Sequence, residues 1–402
     1  KFHKHIDWLF NQFPAFQKQG GEAYKPGLSH TLRLLSLFDI DFEKLKYIHV
    51  AGTNGKGSVC CIAASVLTEK KHQVGLFTSP HLFDFRERIR VNGKLISEQE
   101  VVEFCEVIRN NELDFKPSFF EITFVLAIRH FINQECDYVV LETGMGGRLD
   151  ATNVVSPAVS VITNIGMDHQ QYLGNTLKAI AKEKAGIIKE QTPLIIGAKQ
   201  EEVYSIFKEI ASEKEASIDI SQESYTDSKL PKYQLENINT AITALSELDI
   251  ECSEEIIQKS IANLYKNSGY QKRMEIVNEN PKIILDVSHN KEGMEQTMKS
   301  VHQQCKGKVY CILGSTIERE IDADFIKLFQ NTTLYFCTFS NERSKTIEDW
   351  NIINTTLNQS IEIHDDINKL FNEARTKLFP NDALLVTGSF FLLSDLNFES
   401  NK

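Results

Sequence analysis

The feature of this sequence that most constrains its fold is a glycine-rich loop between an apolar run and a helical pattern. Residues 47–50 read Tyr-Ile-His-Val, and a helical pattern of apolar residues follows over 59–69. The loop between them, residues 51–58, reads Ala-Gly-Thr-Asn-Gly-Lys-Gly-Ser. Glycines allow backbone N–H groups to point at phosphate oxygens, while a lysine and a helix N-terminus supply positive charge. The segment therefore predicts a phosphate-binding loop, and hence a bound nucleotide.

The alternative for this segment is a glycine-rich turn that carries an exposed lysine. Its spacing differs from the common G-x-x-x-x-G-K-[ST] pattern, because Val50 stands where the first glycine would be and Gly57 separates Lys56 from Ser58. The strand and the helix nevertheless flank the loop in the order that phosphate binding requires, which favours the nucleotide-binding interpretation.

Short apolar runs alternate with helical patterns along the rest of the chain. Strand-like runs occur at residues 47–50, 74–77, 138–141, 159–163, 194–196, 283–285, 309–313, 334–339 and 383–386. Helical patterns lie near residues 59–69, 98–110, 121–134, 176–185, 201–213, 235–247, 254–264, 291–304, 321–330 and 366–378. This alternation is typical of a parallel α/β sheet covered by helices on both faces. A polar stretch at residues 214–233 is expected to form surface connections.

The length of the chain and a second polar break predict two domains. A chain of 402 residues exceeds the size of one ordinary core. Residues 265–281 contain the turn-forming sequences Asn-Ser-Gly and Asn-Pro. We therefore place the boundary near residue 273, with a larger domain at residues 1–273 and a smaller one at 274–402.

Composition excludes several classes of function. The chain has 44 basic and 55 acidic residues and a net charge of −11, which disfavours general binding to nucleic acid or to anionic membranes. No apolar stretch approaches the roughly 18 residues of a membrane span. The eight cysteines form no CxxC pair, and several lie in apolar runs, so we expect reduced, buried thiols rather than zinc sites or disulfides. These features predict a cytoplasmic protein without nucleic-acid or membrane partners.

Two charged or polar side chains follow strand-like runs elsewhere in the chain. Glu142 ends the run at 138–141 and is followed by a glycine-rich segment, and His169 lies shortly after the run at 159–163. Enzymes with a phosphate loop commonly hold Mg²⁺ through a carboxylate at the end of a neighbouring strand. Open α/β sheets also bind ligands beyond the carboxyl ends of their strands. Both residues are therefore candidates for the site, although a solvated glutamate and a structural histidine are the alternatives.

A lysine falls on the apolar side of the helix expected at residues 176–185. At about 100° per residue, Lys184 lies within roughly 20° of Leu177, whereas Lys178 and Lys182 fall on the polar side. Such a lysine can extend its ammonium group to solvent near the helix end. It can instead lose its charge through desolvation, and a neutral amine can take up CO₂ as a carbamate.

The motifs resemble those of one known enzyme family, in the same order along the chain. The matching segments are residues 24–28, 52–58, 78–82, 142–153, 168–169, 183–186 and 286–290. Together they resemble folylpolyglutamate synthase/dihydrofolate synthase, a member of the Mur ligase superfamily, over almost the whole chain. The resemblance implies a P-loop-containing central domain of Mur-ligase type with a parallel-rich sheet. A smaller, Rossmann-like α/β domain is expected to follow it at the C-terminus.

The chemistry that this resemblance implies is an ATP-dependent ligation. ATP would phosphorylate the carboxylate of dihydropteroate or of a tetrahydrofolate to give an acyl phosphate. The amine of L-glutamate would then form the amide, with release of ADP and phosphate. The implied cofactors are ATP and Mg²⁺, with two metal ions, and the implied quaternary state is a monomer.

The resemblance also implies roles for individual residues. The catalytic residues would be Lys56, His169, Lys184 and His289. ATP would be bound by Asn54, Gly55, Lys56, Gly57, Ser58, Asn237, Arg273 and Asp286. The metal ligands would be Ser79, Glu142 and His169, and Lys184 would be carbamylated. The pterin-containing substrate would contact Ser118, Phe119, Phe120, Glu121, Leu149, Asp150 and Ala151.

Some positions depart from the family pattern, and other interpretations stay open. Residues 314–320 read Gly-Ser-Thr-Ile-Glu-Arg-Glu, where the family usually has an Asp-Lys-Asp turn. Without the resemblance, Asp286 would be taken as a capping residue after a strand and Arg273 as a linker charge. The alternative functions are a ligase for a cell-wall precursor and a nucleotide-binding protein without ligase activity.

Overall fold

The computed structural model describes residues 1–15 and 27–398, which form two units. Contacts along the chain divide it into Lys1–Tyr270 and Gln271–Lys402. The first family-like segment, residues 24–28, lies largely outside the described residues. The division falls a few residues before the boundary expected near residue 273, and the assignment of functional domains to 1–273 and 274–402 stays a prediction.

The first unit is built on an eight-stranded sheet in the order β4-β3-β2-β5-β1-β6-β7-β8. Within this order, the six neighbours β2, β5, β1, β6, β7 and β8 pair in parallel. The strands β3 and β4 pair antiparallel at one edge. The strand bounds are β1 Lys46–Ala51, β2 Val74–Phe77, β3 Ile89–Val91, β4 Lys94–Leu95, β5 Tyr138–Glu142, β6 Val159–Ile162, β7 Leu194–Ile196 and β8 Ile218–Ile220. Because β5, β1 and β6 are neighbours, their carboxyl ends lie together at one edge of the sheet.

Helices flank this sheet. Their bounds are α1 Phe2–Gln12, α2 Ser29–Leu37, α3 Lys56–Glu69, α4 Glu98–Asn110, α5 Phe119–Asn133, α6 Gln170–Leu173, α7 Leu177–Ala185, α8 Glu201–Glu213, α9 Lys232–Ser246, α10 Glu254–Ala262 and α11 Leu264–Ser268. Short 3₁₀ turns occur at Phe42–Lys44, Phe85–Arg88 and Ala151–Val154. Helix α3 is buried almost all round from Gly57 to Leu67, because β1, β2 and β5 pack against it as well as α9, α10 and α11. The phosphate loop is therefore continued by a rigid element of the core.

The second unit contains a six-stranded sheet in the order β13-β12-β11-β14-β10-β9, parallel except for β9. Its strands are β9 Glu275–Glu279, β10 Lys282–Leu285, β11 Val309–Leu313, β12 Thr332–Cys337, β13 Glu362–His364 and β14 Ala383–Thr387. Its helices are α12 Lys291–Gln304, α13 Ala323–Lys327, α14 Ile347–Thr356, α15 Ile367–Thr376 and α16 Phe390–Asp395. The expected α/β architecture with two parallel-rich sheets is confirmed.

One local expectation is wrong. The polar stretch at 214–233 was expected to hold only surface connections, but Ile218–Ile220 pairs in parallel with β7 as the edge strand β8. The strand is short and is paired on one side only, with half-buried isoleucines around an exposed aspartate, so its apolar signal is weak. Within the described residues, no helix is long and apolar enough to cross a membrane.

Candidate active site

The phosphate loop connects the end of β1 to the start of α3. Gly52 and Gly55 have φ angles of 147° and 82°, in the region that favours glycine. A Cβ atom on Gly55 would lie 2.4 Å from Oδ1 of Asn237, so helix α9 packs directly against the loop. The structure thus brings Asn237 to the loop, as its predicted nucleotide contact requires. Lys56 begins α3, and its ammonium group donates to the carbonyls of Gly52 and Thr53, at 3.1 and 3.2 Å.

The segment after β6 braces the phosphate loop. The Asn54 N–H donates to Oδ1 of Asn164 at 2.9 Å, and the Thr163 hydroxyl donates to the Asn54 carbonyl at 2.6 Å. The Gly166 N–H donates to the Thr53 hydroxyl oxygen at 2.9 Å. These contacts fix the backbone conformation in which the loop can present its N–H groups to phosphate oxygens.

Gln200 in turn holds the segment after β6 in place. Its side-chain amide accepts a hydrogen bond from the Ile165 N–H and donates one to the Ile165 carbonyl, both at 2.7 Å. This two-point contact lies immediately before helix α8, and the clamped segment continues into Asp168 and His169.

Replacing Gln200 with leucine is expected to weaken nucleotide binding about tenfold. The change removes two partly buried hydrogen bonds and so loosens the segment that supports the phosphate loop. Calorimetric titration with ADP and Mg²⁺ measures the effect. Gln258→Leu is the matched control, since the Gln258 amide bonds only to Glu254 on the exposed face of its own helix in the described structure. An unchanged ADP affinity in Gln200→Leu would contradict the bracing role.

Lys184 is buried on helix α7 together with Ile180, Ala181 and Ala185, as the helical wheel predicts. Its Nζ atom donates to the Gly52 carbonyl at 2.7 Å, so Lys56 and Lys184 share one carbonyl of the phosphate loop. Burial and, to a smaller extent, the positive charge of Lys56 together lower the pKa of Lys184 to about 7. A large fraction of the Lys184 side chains is therefore a neutral, nucleophilic amine at neutral pH.

The predicted metal ligands lie at the same edge of the sheet. Glu142 is buried at the end of β5, and its Oε2 atom accepts the backbone N–H of Ser79 at 2.9 Å. His169 follows β6 with a left-handed φ of 52°, and its N–H donates to Asp168 Oδ1 at 2.8 Å. Across the part of the chain that the structure describes, no group of three or more His, Cys, Asp or Glu side chains is arranged to hold a metal. The carboxylate and hydroxyl oxygens of Glu142 and Ser79 are nevertheless the ligand type that Mg²⁺ prefers.

The predicted substrate residues around helix α5 divide into two kinds. Ser118 and Glu121 form a capping box, in which the Glu121 N–H bonds to the Ser118 hydroxyl and the Ser118 N–H to the Glu121 carboxylate. Phe119 stacks on Phe10, and the Phe120 ring lies over Gly144, where an added Cβ would approach Cζ to 2.7 Å. The polar pair therefore orients the helix start, and Phe120 lies beside the glycine-rich segment that follows Glu142.

Asp150 organises that glycine-rich segment. Its buried carboxylate accepts the N–H groups of Gly144 and Met145, both at 2.9 Å, and the N–H and hydroxyl of Thr152. Burial raises the pKa of Asp150, whereas these hydrogen bonds lower it. A direct contact of Asp150 with substrate stays a prediction, and so do contacts of Leu149 and Ala151. The observed bonds show that the Asp150 carboxylate shapes the loop after Glu142.

Gly186 is expected to be essential for the junction between this loop and helix α7. A Cβ atom at Gly186 would lie 2.3 Å from the Cα of Arg148, although its φ of −61° suits any residue. Gly186→Ala should therefore lower the free energy of unfolding by about 1–3 kcal/mol, since the clash is with backbone that cannot rotate away. Urea unfolding followed by circular dichroism measures this change, and an unchanged midpoint would show that the junction relaxes freely.

In the second unit, the structure places the predicted residues around β10. Asp286 is buried, and it accepts the N–H groups of Met274 and Ser288 at 2.7 and 2.9 Å and the Thr297 hydroxyl at 3.0 Å. These contacts agree with the capping alternative, and ribose binding by Asp286 stays a prediction. The Phe390 ring lies beneath both Arg273 and His289, at 5.9 Å from each, so these two predicted residues share one aromatic platform.

Comparison with known proteins assigns the chain to a family. The Mur ligase middle domain matches residues 50–265, and the Mur ligase glutamate ligase domain matches residues 272–390. A dihydrofolate synthase/folylpolyglutamate synthase of Bacillus subtilis is 31% identical over 92% of this chain and 94% of its own length. The chain belongs to this family of Mur ligases.

Solved structures of the family agree with the fold. Escherichia coli FolC in complex with DHPP and ADP has a TM-score of 0.85 at 28% identity, covering 98% of this chain and 96% of that one. A bifunctional folylpolyglutamate synthase/dihydrofolate synthase with Mn, AMPPNP and L-glutamate bound has a TM-score of 0.84 at 26% identity, with the same coverage.

The turn at residues 314–320, where this chain lacks the Asp-Lys-Asp of the folate-ligase family, is held by a neighbouring loop. Thr316 forms an isolated antiparallel bridge with Ser344, and the Ile317 N–H donates to the Arg343 carbonyl at 2.8 Å. Arg343 Nε also donates to Glu318 at 2.7 Å. Backbone pairing and one ion pair thus order the altered turn.

Several residues of the site were missed from the sequence. Gln200, Thr163 and Asn164 act on the loop through long-range contacts, and only the polarity of Thr163 and Asn164 directly after a strand could have indicated them. His49 lies inside β1, where its Nε2 atom is 2.8 Å from the Thr152 hydroxyl oxygen. Burial lowers the pKa of His49 to about 3, so a neutral histidine supports the residue that bonds Asp150.

Proposed function

We propose that this chain is an ATP-dependent ligase that joins L-glutamate to the carboxylate of dihydropteroate or of a tetrahydrofolate. The observation that carries the proposal is the convergence of Lys56 and Lys184 on the Gly52 carbonyl of the phosphate loop. Two amines at one phosphate loop, of which one is buried, suit a site that handles several negative charges. The ligands named for the related structures, ADP with DHPP and AMPPNP with L-glutamate, support the same chemistry.

In the first step, the loop at residues 54–58 holds the phosphates of ATP. A carboxylate oxygen of the substrate forms a bond to the γ-phosphorus while the bond from that phosphorus to the bridging oxygen breaks, which gives an acyl phosphate and ADP. Lys56 and the N-terminus of α3 offset the negative charge that moves in this transfer. The braced conformation of the loop means that its N–H donors are already oriented before ATP binds.

In the second step, the amine of L-glutamate attacks the acyl carbon. A C–N bond forms, the bond from that carbon to the phosphate oxygen breaks, and inorganic phosphate leaves while the amine gives up a proton. The roles implied for Arg273, Asp286 and His289 in ATP binding and catalysis stay predictions within this proposal.

Mg²⁺ is the proposed metal cofactor, as two ions, with Ser79, Glu142 and His169 as its protein ligands. The fit rests on the buried Glu142 carboxylate and on its contact with the Ser79 backbone, which places a hydroxyl-bearing residue beside it. When bound, Mg²⁺ neutralises phosphate charge and so favours phosphoryl transfer.

Lys184 is proposed to carry a carbamate. Its neutral Nζ atom forms a bond to the carbon of CO₂ and releases one proton, and the remaining N–H can keep its hydrogen bond to Gly52. Carbon NMR after incubation with isotope-labelled bicarbonate tests this modification. A carbamate signal that is present in the parent protein and absent in Lys184→Met supports it, and the absence of a signal in both proteins contradicts it.

The proposed function is tested by ADP release with ATP, Mg²⁺ and L-glutamate, after addition of either dihydropteroate or tetrahydrofolate. Glutamylated products in the mass spectrum with both acceptors would establish both activities, and products with only one would define the substrate. A protein that binds ATP but forms no product with either acceptor would instead support the non-ligase alternative. We also propose that the chain acts as a monomer on small-molecule substrates, and its mass from light scattering checks this.

A further inference from the structure

Arg88 is a buried arginine that uses little of its hydrogen-bonding capacity. It ends the 3₁₀ turn Phe85–Arg88, and only 4% of its surface is exposed. Its Nε atom donates to Nδ1 of His81 at 2.8 Å, which is the only hydrogen bond of its side chain within residues 1–15 and 27–398. A guanidinium group has five N–H donors, so four donors on its two terminal nitrogens have no acceptor there. The terminal nitrogens are not among the fully buried polar atoms that lack a partner, so they keep some contact with solvent and a ligand can reach them.

The neighbouring charges do not supply that acceptor. The carboxylates of Glu142 and Glu87 are close enough to raise the pKa of Arg88, but burial dominates and lowers it to about 10. Neither carboxylate forms an ion pair with Arg88 within 4 Å in the described structure. Both oxygens of Glu87 already accept the N–H groups of Leu82, Phe83 and Asp84. The guanidinium therefore stays charged at neutral pH without a bonded counterion.

The other neighbours of Arg88 are aromatic or uncharged. The His81 ring is mostly enclosed and accepts the Nε–H of Arg88 at its Nδ1 atom. The Cζ atom of Arg88 lies 5.6 Å from the centre of the Phe119 ring. Arg88 thus lies near an aromatic ring and near the carboxylate proposed to bind metal.

We propose that Arg88 binds the substrate carboxylate that becomes the acyl phosphate, through its two terminal nitrogens. The planar guanidinium fork matches a carboxylate in shape and charge, and the surrounding burial strengthens the pairing. For dihydropteroate, the aromatic ring that bears this carboxylate would face Phe119. When one carboxylate oxygen bonds to the γ-phosphorus, the other oxygen keeps its contact with Arg88. This inference rests on the proposed function, and it adds a residue that recognises the negative charge of the substrate to which glutamate is joined.

The test compares the binding of dihydropteroate with that of its neutral carboxamide, measured by fluorescence quenching without turnover. The parent protein is expected to bind the acid about 10–100-fold more tightly than the amide, because charged hydrogen bonds carry the difference. In Arg88→Met, the affinity for the amide should stay unchanged and the preference for the acid should disappear. Arg109→Met is the matched control, since Arg109 lies on the exposed end of α4 over Trp8.

The outcomes separate this inference from the proposed function. Retention of the full preference for the acid in Arg88→Met would overturn the role of Arg88 while leaving the ligase proposal intact. Failure of the parent protein to bind either compound would overturn both. Should Arg88→Met not fold, Arg88→Lys keeps the charge but lacks the fork, and it should retain only part of the preference. If both Arg88→Lys and Arg88→Gln kept the full preference for the acid over the amide, the proposal would also be overturned.

Discussion

Lys184→Met is expected to reduce ligase turnover by a factor of about 10²–10³, the usual consequence of removing one preorganised electrostatic group from an active site. The same change should make the folded protein more stable at acidic pH. The buried amine of Lys184 explains both effects. It is bonded to the phosphate loop at Gly52, so its loss affects catalysis, and its burial makes the charged form costly, so its loss stabilises the fold. Methionine fills a similar volume without a charge.

The pH dependence of this stability change has a definite sign. The pKa of Lys184 is 10.5 in the unfolded reference and about 7 in the folded protein. Between these values the unfolded chain holds a proton that the folded chain lacks, so this lysine makes the free energy of unfolding rise with pH. Below about pH 7 both states are protonated, and the folded protein bears the full cost of the buried charge. The advantage of Lys184→Met should therefore be largest below pH 7 and shrink toward pH 10.

Urea unfolding of both proteins from pH 5 to pH 10, without bicarbonate, measures this difference. Lys182→Met is the matched control, because Lys182 lies exposed on the same helix and should change neither stability nor turnover appreciably. A Lys184→Met variant with normal turnover would contradict the catalytic role. A stability difference that is independent of pH would contradict the burial of a titrating amine.

The parts of the fold that follow from local sequence were predictable. The strand, loop and helix at residues 46–69 are contiguous, and the side on which Lys184 lies depends only on the period of one helix. Short edge strands were missed because their signal is incomplete. The strand β8 has three residues with an aspartate in the middle, and β13 has the sequence Glu-Ile-His. Such strands are determined by the neighbour they pair with, which no local pattern reveals.

In the candidate site, too, the residues indicated by local sequence were predictable, and those that depend on long-range contacts were not. Glycine spacing indicates the loop residues 54–58 as candidates, the end of a strand indicates Glu142, and the period of one helix indicates Lys184. Asp150 was also singled out, but its carboxylate is directed at backbone N–H groups of its own loop, which only the folded chain shows. The resemblance places the loop at residues 85–89 beside the substrate, but it does not distinguish Arg88, whose bond to His81 only the folded chain shows. Gln200 carried no signal in the sequence, because its contact is with Ile165, 35 residues away.

Lys56→Met is expected to lower turnover by a factor of about 10²–10³, with a smaller loss of ADP affinity, because Lys56 acts mainly on charge that moves during phosphoryl transfer. The positive charge of Lys56 also contributes to the low pKa of Lys184, so its removal should raise that pKa. The pH range over which Lys184 affects stability should then begin above pH 7, which urea unfolding of Lys56→Met detects. Lys71→Met is the control, since Lys71 is exposed beyond the far end of α3. An active Lys56→Met variant would show that the loop binds phosphate without this lysine, and an unshifted pH range would show that the two amines are not coupled.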